Sequence, residues 1–143
     1  MTVVVRATWQ LEGWNGDELR RRVPFILTGF AAKLDTQLKE EIKLVQFPWT
    51  NRKTYRRNGT IEGSPRDIVD TGAFLRSQNR RRDSPTQVTF TWGGTGGVTY
   101  AGYILQGKGA SYPARDWIRP ALEKVPLDRY FRDEWSRLAR EGL

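Results

Sequence analysis

Between Leu19 and Val45 apolar residues return every three or four positions, at Leu19, Val23, Ile26, Phe30, Leu34, Leu38, Ile42 and Val45. Residues so spaced share a face only on a helix, so the run predicts one long amphipathic helix over residues 17 to 46, and the rest of the chain must cover its apolar side. Trp14-Asn15-Gly16-Asp17 reads as the turn and helix start ahead of it. Pro24 falls inside the pattern, so the helix either kinks there or begins there, with the proline in a first turn where its missing N–H costs little.

Two stretches alternate instead of recurring at helical spacing. Residues 3 to 11 place Val3, Val5, Ala7, Trp9 and Leu11 on one face, and Gln87 to Trp92 do the same with Val88, Phe90 and Trp92, as half-buried strands require. The cluster Gly93-Gly94-Thr95-Gly96-Gly97 then separates that strand from residues 98 to 105, which predicts a flexible hairpin to a further antiparallel strand ending at Gly107-Lys108-Gly109. Asp70-Thr71-Gly72 offers a cap for a short helix over residues 73 to 77 that ends in the Arg80-Arg81-Arg82 run. After Pro113, residues 115 to 125 suit a helix carrying Trp117, Ile118, Ala121 and Leu122, with Pro120 in its first turn or at a kink. A last helix over residues 127 to 141 gathers Leu127, Tyr130, Phe131, Trp135 and Leu138 on one face, with Arg129, Arg132, Arg137 and Arg140 mostly away from it. The order predicts an α+β fold in one domain over residues 1 to 143, with a small, mostly antiparallel sheet packed against the long helix and helices at the C-terminal end. Residues 48 to 69 hold few apolar positions and are expected to form a long, mobile loop.

Composition narrows the chemistry. The chain has no Cys and no His, which excludes disulfides, thiolate zinc sites, thiol nucleophiles and Ser-His-Asp triads. Lys and Arg number 24 against 16 Asp and Glu, and the resulting net charge of +8 turns attention to acidic partners, nucleic acid among them. No signal peptide and no apolar run long enough to span a bilayer is visible, so a soluble protein made in the cytoplasm and without a membrane partner is expected. Asn58-Gly59-Thr60 then counts as a chance glycosylation sequon.

Asp35 with Glu41-Ile42-Lys43 has the residue types of a metal-dependent nuclease, but all sit on the predicted long helix, where a solvated charged face is the better reading. The glycines at 93 to 97 lack the Gly-Lys-Ser/Thr ending and following helix of a phosphate loop, and Gly107-Lys108-Gly109 has the same defect. Arg20-Arg21-Arg22, Arg52-Lys53, Arg56-Arg57 and Arg80-Arg81-Arg82, with Trp49 and Tyr55 between them in sequence, lie in loops or on the polar side of helices, where plain solvation is the usual explanation, and contact with DNA as a bulk polyanion suits them better than specific recognition. Trp9, Trp92, Trp117 and Trp135 fall on apolar faces as core or subunit contacts, whereas Trp14 and Trp49 lie in turns as exposed anchors. No catalytic residue, metal ligand or cofactor site is expected.

Two segments carry a resemblance. Asp70-Thr71-Gly72-Ala73-Phe74-Leu75-Arg76-Ser77 forms the first. Tyr100-Ala101-Gly102-Tyr103-Ile104-Leu105-Gln106-Gly107, followed by Pro113-Ala114-Arg115-Asp116-Trp117-Ile118-Arg119-Pro120-Ala121-Leu122, forms the second. Together they resemble the tail-component family of long-tailed phages, neck or head-to-tail joining proteins typified by the tenth gene product of HK-ninety-seven-type siphophages. The chain departs from the family pattern mildly, with Phe74 as an extra residue, Gln106 for a frequent acidic residue, Asp116 for a Pro and Trp117 for a Phe. The resemblance covers residues 70 to 125 by motif, and it implies buried aromatics at Tyr100, Tyr103 and Trp117.

The function it implies is that of a structural virion protein without enzymatic activity: a ring subunit at the neck, between head connector and tail. The implied partners are copies of itself in a ring, a hexamer before a dodecamer, with the head connector or stopper on one rim and the tail terminator or tail tube on the other. Non-specific contact with the genomic DNA goes with that position. A tail-terminator ring is the alternative within the class, and a basic DNA-binding protein or nuclease the alternative outside it. Trp49, Arg52, Tyr55, Arg56, Arg57 and Ile61 in the loop 48 to 69 are the candidate contacts to a neighbouring subunit.

Overall fold

Helix α1 spans Gly16–Leu44 and buries the predicted stripe, with Val23, Ile26, Phe30, Leu34, Leu38 and Ile42 all inside. It neither begins nor ends at Pro24, since residues 16 to 23 are already helical ahead of it. Asp17 and Glu18 in its first turn and Lys43 in its last complement the helix dipole. The computed structural model describes residues 2–6, 16–44, 52–64, 68–69, 72–93, 101–107 and 114–143.

A three-stranded antiparallel sheet consists of β1 (Thr2–Arg6), β4 (Asn79–Ser84) and β5 (Gln87–Thr91), with β5 in the centre. Val88 and Phe90, with Trp92 just beyond, are buried in the cluster that α1 covers as predicted, but Thr89 on the other face of this central strand is buried too, so the strand is not half-exposed. Of the first predicted strand, residues 2 to 6 pair with β5 from Thr2↔Thr91 to Arg6↔Gln87, and residues 7 to 11, Trp9 among them, lie outside the described residues.

Two expectations are corrected. The hairpin partner of β5 is β4, reached through Pro85 and Thr86, and the Arg80-Arg81-Arg82 run is therefore strand, not the end of a helix. The short helix α2 covers only Ala73–Arg76. Gln78 stops it: its side-chain amide donates to the Asp35 carbonyl and carboxylate at 3.0 and 2.9 Å and accepts from Trp92 Nε1 at 3.0 Å, fixing the chain where β4 departs. The segment expected to be a second strand after the glycines is instead helix α3 (Ala101–Gln106), while residues 94 to 100 lie outside the described residues. Ala101 and Ile104 are buried and Leu105 is partly buried against the same core, a three-to-four spacing that a helix satisfies and a strand does not.

Helices α4 (Ile118–Lys124) and α5 (Leu127–Arg140) follow in the predicted places. Asp116 Oδ1 accepts the Ile118 and Arg119 N–H groups at 2.9 and 3.0 Å, so Asp116 caps the start of α4. The main core joins α1, β5, α3 and α4 around Trp92 and Trp117. A smaller cluster of Val23, Ile26, Phe131 and Leu138 seals α5 onto the first half of α1, and Tyr130 packs against both.

Candidate assembly surface

The motif residues divide sharply between core and surface. Trp117 is fully buried, with ring centroids 5.1 Å from Phe74 and 5.5 Å from Trp92, so Phe74, the extra residue of the first motif, is a core contact of the second. Ser77 is buried and staples α2 to the end of β5, donating to the Phe74 carbonyl at 2.7 Å and accepting from Gly93 N–H at 3.0 Å. Gly72 and Gly107 have φ of +78° and +76°, a region that side chains resist, and they start α2 and end α3. Ala101 and Ala121 are buried; Leu75 packs against the core from the side. Arg115 donates its backbone N–H to the Ile104 carbonyl at 2.8 Å, tying α4's approach to α3. These residues build the fold.

On the surface side stand Arg76, Ala114 and Arg119, the last 3.6 Å from Asp116, while Pro120 is half-buried in the first turn of α4. Tyr103 was expected inside and is 57% exposed. Ala101 and Ile104 take the inner face of α3, which turns Tyr103 outward. Asp70, Thr71, Tyr100 and Pro113 lie outside the described residues.

The segment expected to be a mobile loop carries a small hairpin, β2 (Thr54–Tyr55) with β3 (Ile61–Glu62). Its turn is made locally: Arg56 N–H donates to the Thr60 carbonyl at 2.8 Å, Asn58 Oδ1 accepts the Thr60 N–H at 2.9 Å, and Gly59 takes φ +88°. Thr54 pairs with Glu62 and Tyr55 with Ile61, and neither strand joins the larger sheet. Tyr55 is 80% and Ile61 55% exposed, although cross-strand partners lie close enough to form one apolar contact. Arg52 and Arg57 are exposed beside them, and the half-buried Arg56 reaches the Val69 carbonyl with its guanidinium. Trp49 lies outside the described residues.

Other constellations resolve into structure. Asp35 and Glu41 are six positions apart on α1, about 120° around the helix, and each carboxylate has its own partners. Lys39 holds Asp35 at 3.0 Å, whereas Gln37 holds the buried Glu41 at 2.8 Å and Lys124 joins it from α4. Lys43 pairs with Glu40 at 2.9 Å. Among the described residues, no three acidic groups gather to hold a metal ion, and no helix is long and apolar enough to cross a membrane. Trp135 is half-buried, stacked on Phe131 and covered by the Arg22 guanidinium 4.8 Å from its ring. Arg22, grouped with Arg20 and Arg21 as surface charge because nothing local separates it from them, is instead buried and donates to the Leu143 main-chain oxygen at 2.6 Å.

Searches against protein-family models, curated proteins and solved structures find no match to this chain.

Proposed function

We propose that the chain is a structural subunit of a tailed-phage virion, forming a ring at the neck between the head connector and the tail. The observation that carries this reading is the β2–β3 hairpin, which displays Tyr55 and Ile61 side by side, mostly in solvent and flanked by Arg52 and Arg57. An isolated two-stranded hairpin is marginal in water, and an apolar pair at its ladder has most to gain from a neighbouring surface. A ring needs such a patch on one flank and a different, complementary one on the other, because its contacts are heterologous. The resemblance of residues 70 to 125 to neck proteins supplies the setting. In support, Phe74 and Ser77 of the first motif and Trp117 and Ala121 of the second, more than 35 residues apart in the chain, belong to one packed region.

Electron microscopy of infected-cell lysates lacking the protein tests this role. Head-to-tail joining predicts filled or leaking heads beside free tails of normal length, with infectious particles restored by added protein. Tails of uncontrolled length would instead make it a terminator ring, and heads that never fill would remove it from the neck.

A further inference from the structure

Most of the chain's excess positive charge lies in two stretches, residues 52–62 and 76–83. Arg52, Lys53, Arg56 and Arg57 stand against Glu62 alone, and Arg76, Arg80, Arg81 and Arg82 against Asp83 alone, so these two stretches hold +6 of the net +8. On the helices most cations are paired locally, Arg21, Lys33 and Arg140 having no acidic partner among the described residues. On α5, Arg129 faces Asp133, Arg132 lies 3.2 Å from Asp128, and Arg137 is held at 2.8 Å by both Glu134 and Glu141. Along α1, Arg20 faces Asp17, Arg22 faces Glu18, and Lys39 and Lys43 are paired as described.

Arg21, Arg80 and Arg82, like Lys33, Lys53 and Arg140, are exposed and have no acidic partner among the described residues, but the first three share one surface. Strand β4 is the sheet edge that runs along α1, with Gln78 bonded to Asp35 at one end and Arg82 Nη1 donating to Thr28 Oγ1 at 3.0 Å at the other. Arg80 and Arg82 sit opposite Phe90 and Val88 in the register and therefore share the helix-facing side of the edge. Arg21 lies seven residues before Thr28, about 20° from it around the helix and about 10 Å along it. The result is a strip with Arg80 and Arg82 on the strand, ~6.8 Å apart, and Arg21 continuing it along α1.

We infer that this α1–β4 strip binds the phosphate backbone of duplex DNA without reading its sequence. Arginine forks match phosphate oxygens two at a time, and guanidiniums without a carboxylate partner on an exposed strip cost little desolvation to engage, with Arg82 held in place by Thr28 and by the Ser84 and Pro85 carbonyls. An acidic protein surface fits less well. Phe25 and Leu143, 73% and 58% exposed, line a groove at the Arg21 end only, and Arg80 and Arg82 have no exposed large apolar neighbour on β4, whereas protein interfaces center on buried aromatic or aliphatic anchors. A single strand fits less well too, since stacking platforms use a series of aromatics. Edge protection explains charges on β4 but not Arg21, which is on the helix. The inference is independent of the ring proposal, because it rests on charge placement alone.

Fluorescence anisotropy of the full-length protein with a short labelled duplex, over a salt series, tests it. Binding should fall linearly in log K against log salt, at the same slope for unrelated sequences. Arg21→Gln/Arg80→Gln should make that slope shallower by about two, and Arg80→Lys should leave it nearly unchanged. Arg132→Gln, which removes a guanidinium already paired with Asp128, should leave the slope as it is. Should the Arg80 substitution unfold the sheet by circular dichroism, Arg21→Gln alone must lower the slope by about one. The inference fails if the wild type shows no salt-dependent binding, if the double variant keeps the wild-type slope, or if polyglutamate competes as well as duplex at equal charge. Tighter binding to a single strand through the same arginines would overturn the assignment to duplex.

Discussion

Trp92 and Trp117 touch each other in the core, yet their indole N–H groups meet different fates. Trp92 donates to Gln78 Oε1 at 3.0 Å, whereas Trp117 Nε1 is buried with no acceptor among the described residues. Trp92→Phe would strand the Gln78 oxygen in a buried network, and Trp117→Phe would strand nothing. Trp92→Phe is therefore expected to destabilise by about 1–3 kcal/mol more than Trp117→Phe in urea melts, and equal losses would contradict the bonding pattern. Trp117→Ala should cost about 3–5 kcal/mol, because the void would open between Phe74 and Trp92. The core role of Trp117 was legible from its place on an apolar face. The exposure of Tyr103 was not, because it depends on α3 being a helix, and Val98, Thr99 and Tyr100 ahead of that helix favour strand by type.

At the scale of elements, the crossing of α1 and α5 turns on Gly29. A Cβ there would run into the Tyr130 hydroxyl, with the ring carbon behind it at an ordinary 3.5 Å, while Tyr130 itself packs edge-on to Phe30 at 5.8 Å. Alanine in a helix interior gains about 1 kcal/mol over glycine, so Gly29→Ala should stabilise the Tyr130→Phe background by that much and fail to stabilise the wild type. Equal effects in both backgrounds, measured by thermal melts, would show that the hydroxyl does not set the approach.

The β4–β5 hairpin has a titratable latch. Asp83 is the extra residue between Arg82 and Ser84 in the ladder, and its carboxylate accepts from the Thr89 hydroxyl and from Arg81 Nε, the latter at 2.7 Å. Those bonds, Thr89's foremost, hold its carboxyl below the usual aspartate range. A depressed folded-state value means that the latch stabilises the hairpin above the ordinary aspartate pKa, about 3.9, and is lost as pH falls through the folded value. Carbon-detected NMR should place the Asp83 midpoint below that of a free aspartate, and Thr89→Val should move it back up. A midpoint at or above the ordinary value would contradict the latch.

The long helix, β5 and the two C-terminal helices were legible because each carries its own periodicity. Strand β4 was not, since three arginines have no apolar period and their strand state comes from pairing with Phe90 and Val88 across the hairpin. The Asp35–Gln78–Trp92 network was equally hidden, because its partners lie 43 and 14 residues apart. The candidate assembly segment was legible in composition only: its residues were singled out, but not that Asn58 and Gly59 turn them into a hairpin with Tyr55 against Ile61.

For the molecule as a whole, the core joins residues of the two motifs to the buried stripe of α1 and to β5, and the described surface divides into three regions of different character. The helices α1 and α5 carry local ion pairs, the α1–β4 strip carries arginines without a carboxylate partner, and the β2–β3 hairpin carries an apolar pair among cations. On the ring proposal this division separates folding from association, so a change at Tyr55 and Ile61 should leave the monomer intact. The direct test is the mass of the purified protein by native mass spectrometry, wild type beside Tyr55→Ser/Ile61→Ser. The wild type is expected as a closed ring, a whole-number multiple of the subunit mass with six copies before twelve. The variant should have the same circular dichroism and the mass of one subunit. A wild type that stays monomeric at every concentration, or a double variant that assembles as well as the wild type, would contradict the account.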